Sequence, residues 1–361
     1  MGPSEPEIEN HSHYCYDRGM IENKKTSRTF RRFLALALTF GLVAGCGGAS
    51  ETANKSEPGP ESKSEPATES RPVIAVTYSV LGDIVSQLVG DNATVTVVIP
   101  DGQDPHDFQP SAKDVETMSN AALVVSNGLE FEEGLEKVIE NIADSGGDIF
   151  MAGEHITVRK TEKGDDHGHG EDDDDHAEGE EGDDHGDSEG DHHHGGGDPH
   201  IWLSPATMLE MLPALTAALS DAAGADLSEA ERVLTTQLEE LDKQVATIIG
   251  GLDECKLVSG HDEMGYFADR YGCEMIGAII PSFTTTSEAT AGELADLKKQ
   301  VEKNNVPAIF TGLGTSADIA NQLATELGVK AVTLSTHYLD GSANYQEFIL
   351  RMVRQISEAL S

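Results

Sequence analysis

The sequence predicts an α/β protein of two lobes, each a parallel sheet flanked by helices, joined by one long helix. Three observations predict it. From Pro72, short apolar, β-branched runs alternate with amphipathic stretches at the spacing of βαβ units. Ser228 to Ile249 carries Leu234, Leu238, Leu241, Val245 and Ile248 at intervals of four and three, a single apolar stripe. After Gly250 the alternation restarts. A length of 361 residues suits two domains.

The segments before Pro72 read as export and anchoring. Lys24, Lys25, Arg28, Arg31 and Arg32 form a positive block, followed by an apolar run from Phe33 to Ala44 and then Val43-Ala44-Gly45-Cys46. A charged start, a short apolar core and small residues before a cut site make a secretory signal, here 1–45 including an N-terminal extension. The run is too short to span a bilayer. Cys46 stands where the lipobox of bacterial lipoproteins places its lipidated cysteine. Residues 46–71, rich in Ser, Glu, Pro and Lys, read as a tether.

In the N-terminal lobe, 72–227, Val73–Thr77 is fit for a buried strand. Ser79 caps a helix through Leu88 that ends at Gly90. Val95–Ile99 is a second strand closed by Pro100. A helix near Asp114–Asn120, a strand at Leu123–Ser126 and a helix near Phe131–Ile142 follow, and another helix starts after Ser204-Pro205. Ser228 with Glu231 has the form of a capping box on the linking helix, 228–250, a rod of about 33 Å. In the C-terminal lobe, 251–361, strands fall near Lys256–Ser259, Met275–Ile280, Ala308–Thr311 and Ala331–Leu334. Helices fall near Glu263–Tyr271, Ala289–Asn304, Ser316–Leu327 and Asn344–Leu360.

Charge excludes whole classes of partner. With 65 acidic against 24 basic residues the net charge is −41, which excludes nucleic acid and electrostatic docking on an anionic membrane. Much of it lies in one low-complexity stretch within 161–197, where Asp165 to Asp198 holds 16 acidic residues and 7 histidines, namely His167, His169, His176, His185, His192, His193 and His194, with no Lys or Arg. Each imidazole can bind zinc weakly and the carboxylates raise the local cation concentration, so the stretch is expected to capture zinc or to sense its excess. His155, just before the stretch, reads as structural.

His106 follows Asp104-Pro105 just past the second strand. His200 follows Asp198-Pro199. His261 ends the run Val258-Ser259-Gly260-His261, past the first strand of the second lobe. Ligands of open parallel sheets bind at the carboxyl ends of strands, and a preceding proline stiffens the loop that carries an imidazole. Three neutral imidazoles suit Zn²⁺.

The chain resembles the metal-binding lipoproteins of zinc/manganese uptake ABC transporters, in the zinc-type branch, from about Pro72 to Leu360. The matching pieces are Asp104-Pro105-His106 with Phe108-Gln109-Pro110-Ser111, then Asn127-Gly128-Leu129-Glu130, then Asp198-Pro199-His200-Ile201-Trp202-Leu203-Ser204-Pro205, then His261-Asp262-Glu263-Met264-Gly265-Tyr266-Phe267. The resemblance implies a rigid linking helix, Zn²⁺ in the interlobe cleft, and His106, His200 and His261 as ligands. It also implies an ABC permease and its ATPase as partners, and residence in the periplasm or on the outer face of the cytoplasmic membrane. The family often adds an acidic ligand on the last strand. Here that stretch reads Leu334-Ser335-Thr336-His337-Tyr338-Leu339-Asp340, so the fourth position falls to water first, His337 second, with Asp340 a third option.

Cys255 and Cys273 each precede a strand. Starts of paired parallel strands lie within disulfide reach, so a bridge is expected, with zinc-binding thiols as the rival. The expected function is a lipid-anchored, monomeric binding protein, not an enzyme, that captures Zn²⁺ and delivers it to a permease, with affinity falling below pH ~6.5 as imidazoles protonate. The alternatives are manganese or iron as cargo, a storage or adhesion protein, or a zinc hydrolase. For the hydrolase, Glu263 is the candidate base, its plainer role being a charge at a helix N-terminus.

Overall fold

The computed structural model describes residues 71–160 and 197–361. The signal segment, Cys46, the tether up to residue 70 and the acid- and histidine-rich stretch of 161–196 lie outside the described residues.

Among the described residues the first half carries four strands, β1 (Val73–Val76), β2 (Thr94–Val97), β3 (Leu123–Ser126) and β4 (Ile149–Met151), all parallel, in the order β2-β1-β3-β4. The strand β4 was not expected; its three residues are too few to show a period. Side chains of β1 alternate between two cores, as a pleat dictates. Ile74 and Val76 join the main core, whereas Ala75 packs with Met118, Val124 and Leu135 on the opposite face. Helix α1 (Ser79–Val89) covers the first face, and α2 (Ala112–Ser119) and α3 (Glu136–Asp144) lie on the second. Ser79 is the first helical residue rather than a cap; Tyr78 takes the cap position without a side-chain bond. Ser111 and Asp114 form a reciprocal capping box on α2.

After residue 197 the chain turns through His200 into α4 (Pro205–Ala223), capped by Ser204, and then α5 (Ser228–Ile249). The expected box of Ser228 and Glu231 does not form, because Leu227 occupies the cap. Instead the Ser228 N–H donates to the Asp226 carboxylate at 3.0 Å. The apolar stripe ends on Ile249, not Ile248. It packs against α4, α1 and α9 (Tyr345–Leu360).

The second half holds β5 (Lys256–His261) parallel to β6 (Glu274–Ile280), and β7 (Ala308–Thr311) parallel to β8 (Lys330–Thr333). Helices α6 (Gly265–Tyr271), α7 (Ala291–Asn304) and α8 (Ala317–Leu327) alternate with them. Leu257, Ala308 and Phe310 enter the main core with Trp202, Leu238 and Phe348, so one apolar cluster runs through both halves and the long helix. Val258 and Ile309 face a separate cluster under α7 and α8. Asp242 of α5 accepts from Arg270 and from the Tyr271 hydroxyl, which fastens the long helix to α6. The sulfurs of Cys255 and Cys273 are bonded, at the starts of β5 and β6.

The Asp198 N–H donates to the Arg159 carbonyl at 2.9 Å, so the chain leaves the first half and returns to it at one seam. Arg159 also pairs with Asp198 at 3.3 Å and with Asp269 of α6 at 2.7 Å. Gly265 lies so close that a Cβ there would meet the side chains of both Arg159 and Asp198 and force the pair to shift.

Candidate metal centre

Asp104-Pro105-His106 and Asp198-Pro199-His200 fold alike. In each, the aspartate Oδ1 accepts the backbone N–H of the histidine two residues on, at 3.1 and 3.0 Å. This turn, with proline at its middle, fixes where the imidazole departs from the chain. Asn127, at the end of β3, donates from its side chain to the Pro199 carbonyl at 2.8 Å and accepts from Tyr78 at 2.9 Å. Its own N–H is held by buried Glu132 at 2.8 Å. Asn127 is thus the clamp that sets the His200 turn against the first sheet.

His261 is the last residue of β5. His337 lies in the irregular stretch after β8 and is drawn inward by two bonds around it. Trp202 Nε1 donates to the Thr336 carbonyl at 2.6 Å, and the Tyr345 hydroxyl donates to the Trp202 carbonyl at 2.7 Å. The turn that carries His200 and the loop that carries His337 therefore share one tryptophan.

His106, His200, His261 and His337 converge, each offering a nitrogen within 4.8 Å of the others. None is more than 2% exposed. Phe131 packs edge-on to His106 and stacks on His337, and Trp202 lies edge-on to His200, an apolar wall against water. Both nitrogens of His106, Nδ1 of His261 and Nε2 of His337 have no hydrogen-bond partner. Orphaned buried nitrogens are costly unless something takes their lone pairs. Nitrogens around a tetrahedral zinc, at Zn–N near 2.0–2.1 Å, sit about 3.3 Å apart. The donor set fits a borderline divalent cation. His337 enters this cluster; Asp340 is exposed and pairs with Arg351.

Burial drives the protonation states. It pushes His106 down to about 3, with His200 adding a smaller effect, and holds His261 and His337 well below the ordinary imidazole range for the same reason. These rings stay neutral, ready to bind metal, well below the pH of 6.5 at which unperturbed imidazoles protonate. Glu263 is not a solvated helix-end charge. It lies two residues ahead of α6, 2% exposed, and burial pushes its carboxyl up to about 7. His155 stacks on Phe150 away from the cluster.

The family described as "ZnuA: Zinc-uptake complex component A periplasmic" matches residues 74–359. The high-affinity zinc uptake system protein ZnuA of Bacillus subtilis is 28% identical over 304 residues, covering 83% of this chain and 86% of that protein. The manganese-binding lipoprotein MntA of Halalkalibacterium halodurans is 25% identical over 295 residues, 80% of this chain and 82% of its own. Among solved structures, the periplasmic zinc binding protein TroA of Treponema pallidum superposes with a TM-score of 0.67 at 21% identity, over 81% of this chain and 99% of that one.

Proposed function

The chain belongs to the ZnuA family, the periplasmic component A of zinc-uptake complexes, and from that premise we propose that it holds one Zn²⁺ on His106, His200, His261 and His337. Membership makes it a metal-binding transport component rather than an enzyme, which removes the hydrolase expectation. The observation that carries the ligand assignment is the convergence of four buried imidazoles to within 4.8 Å. His337 takes the fourth place ahead of water, because its Nε2 is buried and otherwise unpartnered.

The lobes are 72–227 and 251–361, bridged by 228–250, and each supplies two ligands. Cys46 carries the lipid that tethers the protein outside the cytoplasmic membrane, as a monomer, and the acid- and histidine-rich stretch gathers Zn²⁺ beside the deep site. Delivery is to an ABC permease driven by its ATPase. One observation favours manganese as cargo, the name of the relative from Halalkalibacterium halodurans. Four nitrogen donors weigh against it, since manganese prefers oxygen.

Metal analysis and competition calorimetry of the purified mature protein test the proposal. One tightly held zinc that manganese does not displace is expected, its affinity falling more than tenfold when any one of the four histidines becomes Ala. Preference for manganese, or tight zinc binding untouched by these substitutions, overturns it.

A further inference from the structure

Four neutral imidazoles bring no charge to a dication, and a buried ion without countercharge is costly. The compensation has to lie behind the rings, and two carboxylates are there. Asp198 Oδ1 sits 2.9 Å from His200 Nδ1, which leaves Nε2 facing the cluster, 3.0 Å from Nε2 of His261. Glu263 is shared between two rings. Its Oε1 lies 3.8 Å from Nδ1 of His261 and its Oε2 3.8 Å from Nδ1 of His337. The Thr336 hydroxyl, 3.0 Å from His337 Nδ1, also hydrogen-bonds the Glu263 carboxyl.

Glu263 Oε2 is buried with no hydrogen-bond donor, and so is His261 Nδ1 with no acceptor. Each 3.8 Å gap is about an ångström longer than a hydrogen bond. Donor and acceptor therefore stand opposite one another, incomplete, at the outer edge of the cluster.

We propose, resting on the assignment of the four histidines as zinc ligands, that Glu263 is a positioning residue for two of them at once. It accepts Nδ1–H of His261 directly and Nδ1–H of His337 directly or through Thr336, so that both rings present Nε2 to the ion. With Asp198 it stands as a second carboxylate just outside the coordination sphere, offsetting part of the charge of the cation. The inner sphere can then be all nitrogen, with no acidic ligand, and retain the borderline character that favours zinc over manganese.

The test is a cycle of Glu263→Gln and His337→Asp, read by zinc competition titration. Glutamine keeps the shape and removes the charge; aspartate at 337 moves a negative charge into the inner sphere. Glu263→Gln is expected to weaken zinc about 10- to 100-fold in the wild-type background, and less than about threefold once His337 is Asp. No loss, or equal loss in both backgrounds, overturns the proposal. A second readout needs no variant. Nitrogen-15 NMR of the zinc-loaded wild type is expected to show the Nδ1–H tautomer at both His261 and His337; Nε2–H at either overturns it. His200→Ala separates the two readings: if zinc affinity survives that change, the four-histidine site itself is wrong and this inference falls with it; if affinity is lost there but Glu263→Gln binds normally, only the inference falls.

Discussion

Nε2 of His200 and Nε2 of His261 lie 3.0 Å apart, although 61 residues separate the two histidines in sequence. Two uncharged rings meet this way only if one donates to the other or both give lone pairs to a shared cation. The first ring is set by a turn held to Asn127 and the second by the end of β5. The halves of the protein are thus brought together at the cluster.

His337 is the member of the buried histidine cluster that comes from the irregular stretch after β8, and its removal is informative. His337→Ala is expected to lower zinc affinity more than tenfold while stoichiometry at the deep site stays at one, as read by calorimetry. An unchanged affinity would return the fourth position to water.

Glu132 makes stability depend on pH. It is fully buried beneath the Asn127 turn, and burial raises its carboxyl to about 7 against the hydrogen bonds from Thr77, Asn127 and Gly128 that favour the charged form. A raised value means that the folded protein holds the proton more tightly than the unfolded chain. The group's stabilisation is complete below pH 4.5 and is lost as pH rises through about 7. By pH 8 the loss is roughly 3 kcal/mol. Urea unfolding of the metal-free protein should therefore show the wild type losing ground to Glu132→Gln between pH 5 and pH 8; a constant difference would contradict the assignment.

Arg159 supports His200 at one remove. It pairs with Asp198, which is fully buried and holds the His200 ring. Arg159→Ala should weaken zinc about tenfold through the loosened carboxylate, with no change in metal stoichiometry by mass spectrometry. Affinity equal to wild type would show that Asp198 is held well enough by its backbone contacts alone.

The bridge of Cys255 and Cys273 closes a loop across 18 positions at the starts of β5 and β6, whereas His261 ends β5. Replacing both cysteines by Ser should cost roughly 3 kcal/mol in denaturant unfolding and leave zinc affinity within a factor of about two. A large loss of affinity would mean that the strand transmits strain along its length.

Leu238 is fully buried in the stripe of α5, in the cluster that runs through both halves. Leu238→Ala should cost about 2–5 kcal/mol in a single cooperative transition. Two separate transitions would show that the halves unfold independently.

Much of this was legible in the sequence because period and punctuation agreed. The alternation around β1 to β3 and β5 to β8 marked the strands, and the spacing of Leu234, Leu238, Leu241 and Val245 marked the long helix. His106 and His200 announced themselves by the repeated Asp-Pro-His, whose physical content is the paired turn. His337 had no such frame. The stretch from Leu334 to Asp340 has neither period nor turn signature, and what brings the ring inward is a bond from Trp202, more than a hundred residues away. Glu263 was misplaced for a related reason: a charge near a helix start reads as solvated, yet α6 begins two residues later and the residue is buried behind the rings of His261 and His337.

The seam between the Arg159 carbonyl and the Asp198 N–H joins positions 39 residues apart in sequence, and its second member is the residue whose carboxylate holds the His200 ring. Chain closure and imidazole aim thus hang on one aspartate, so a fault in the joint is felt first as a misdirected ring.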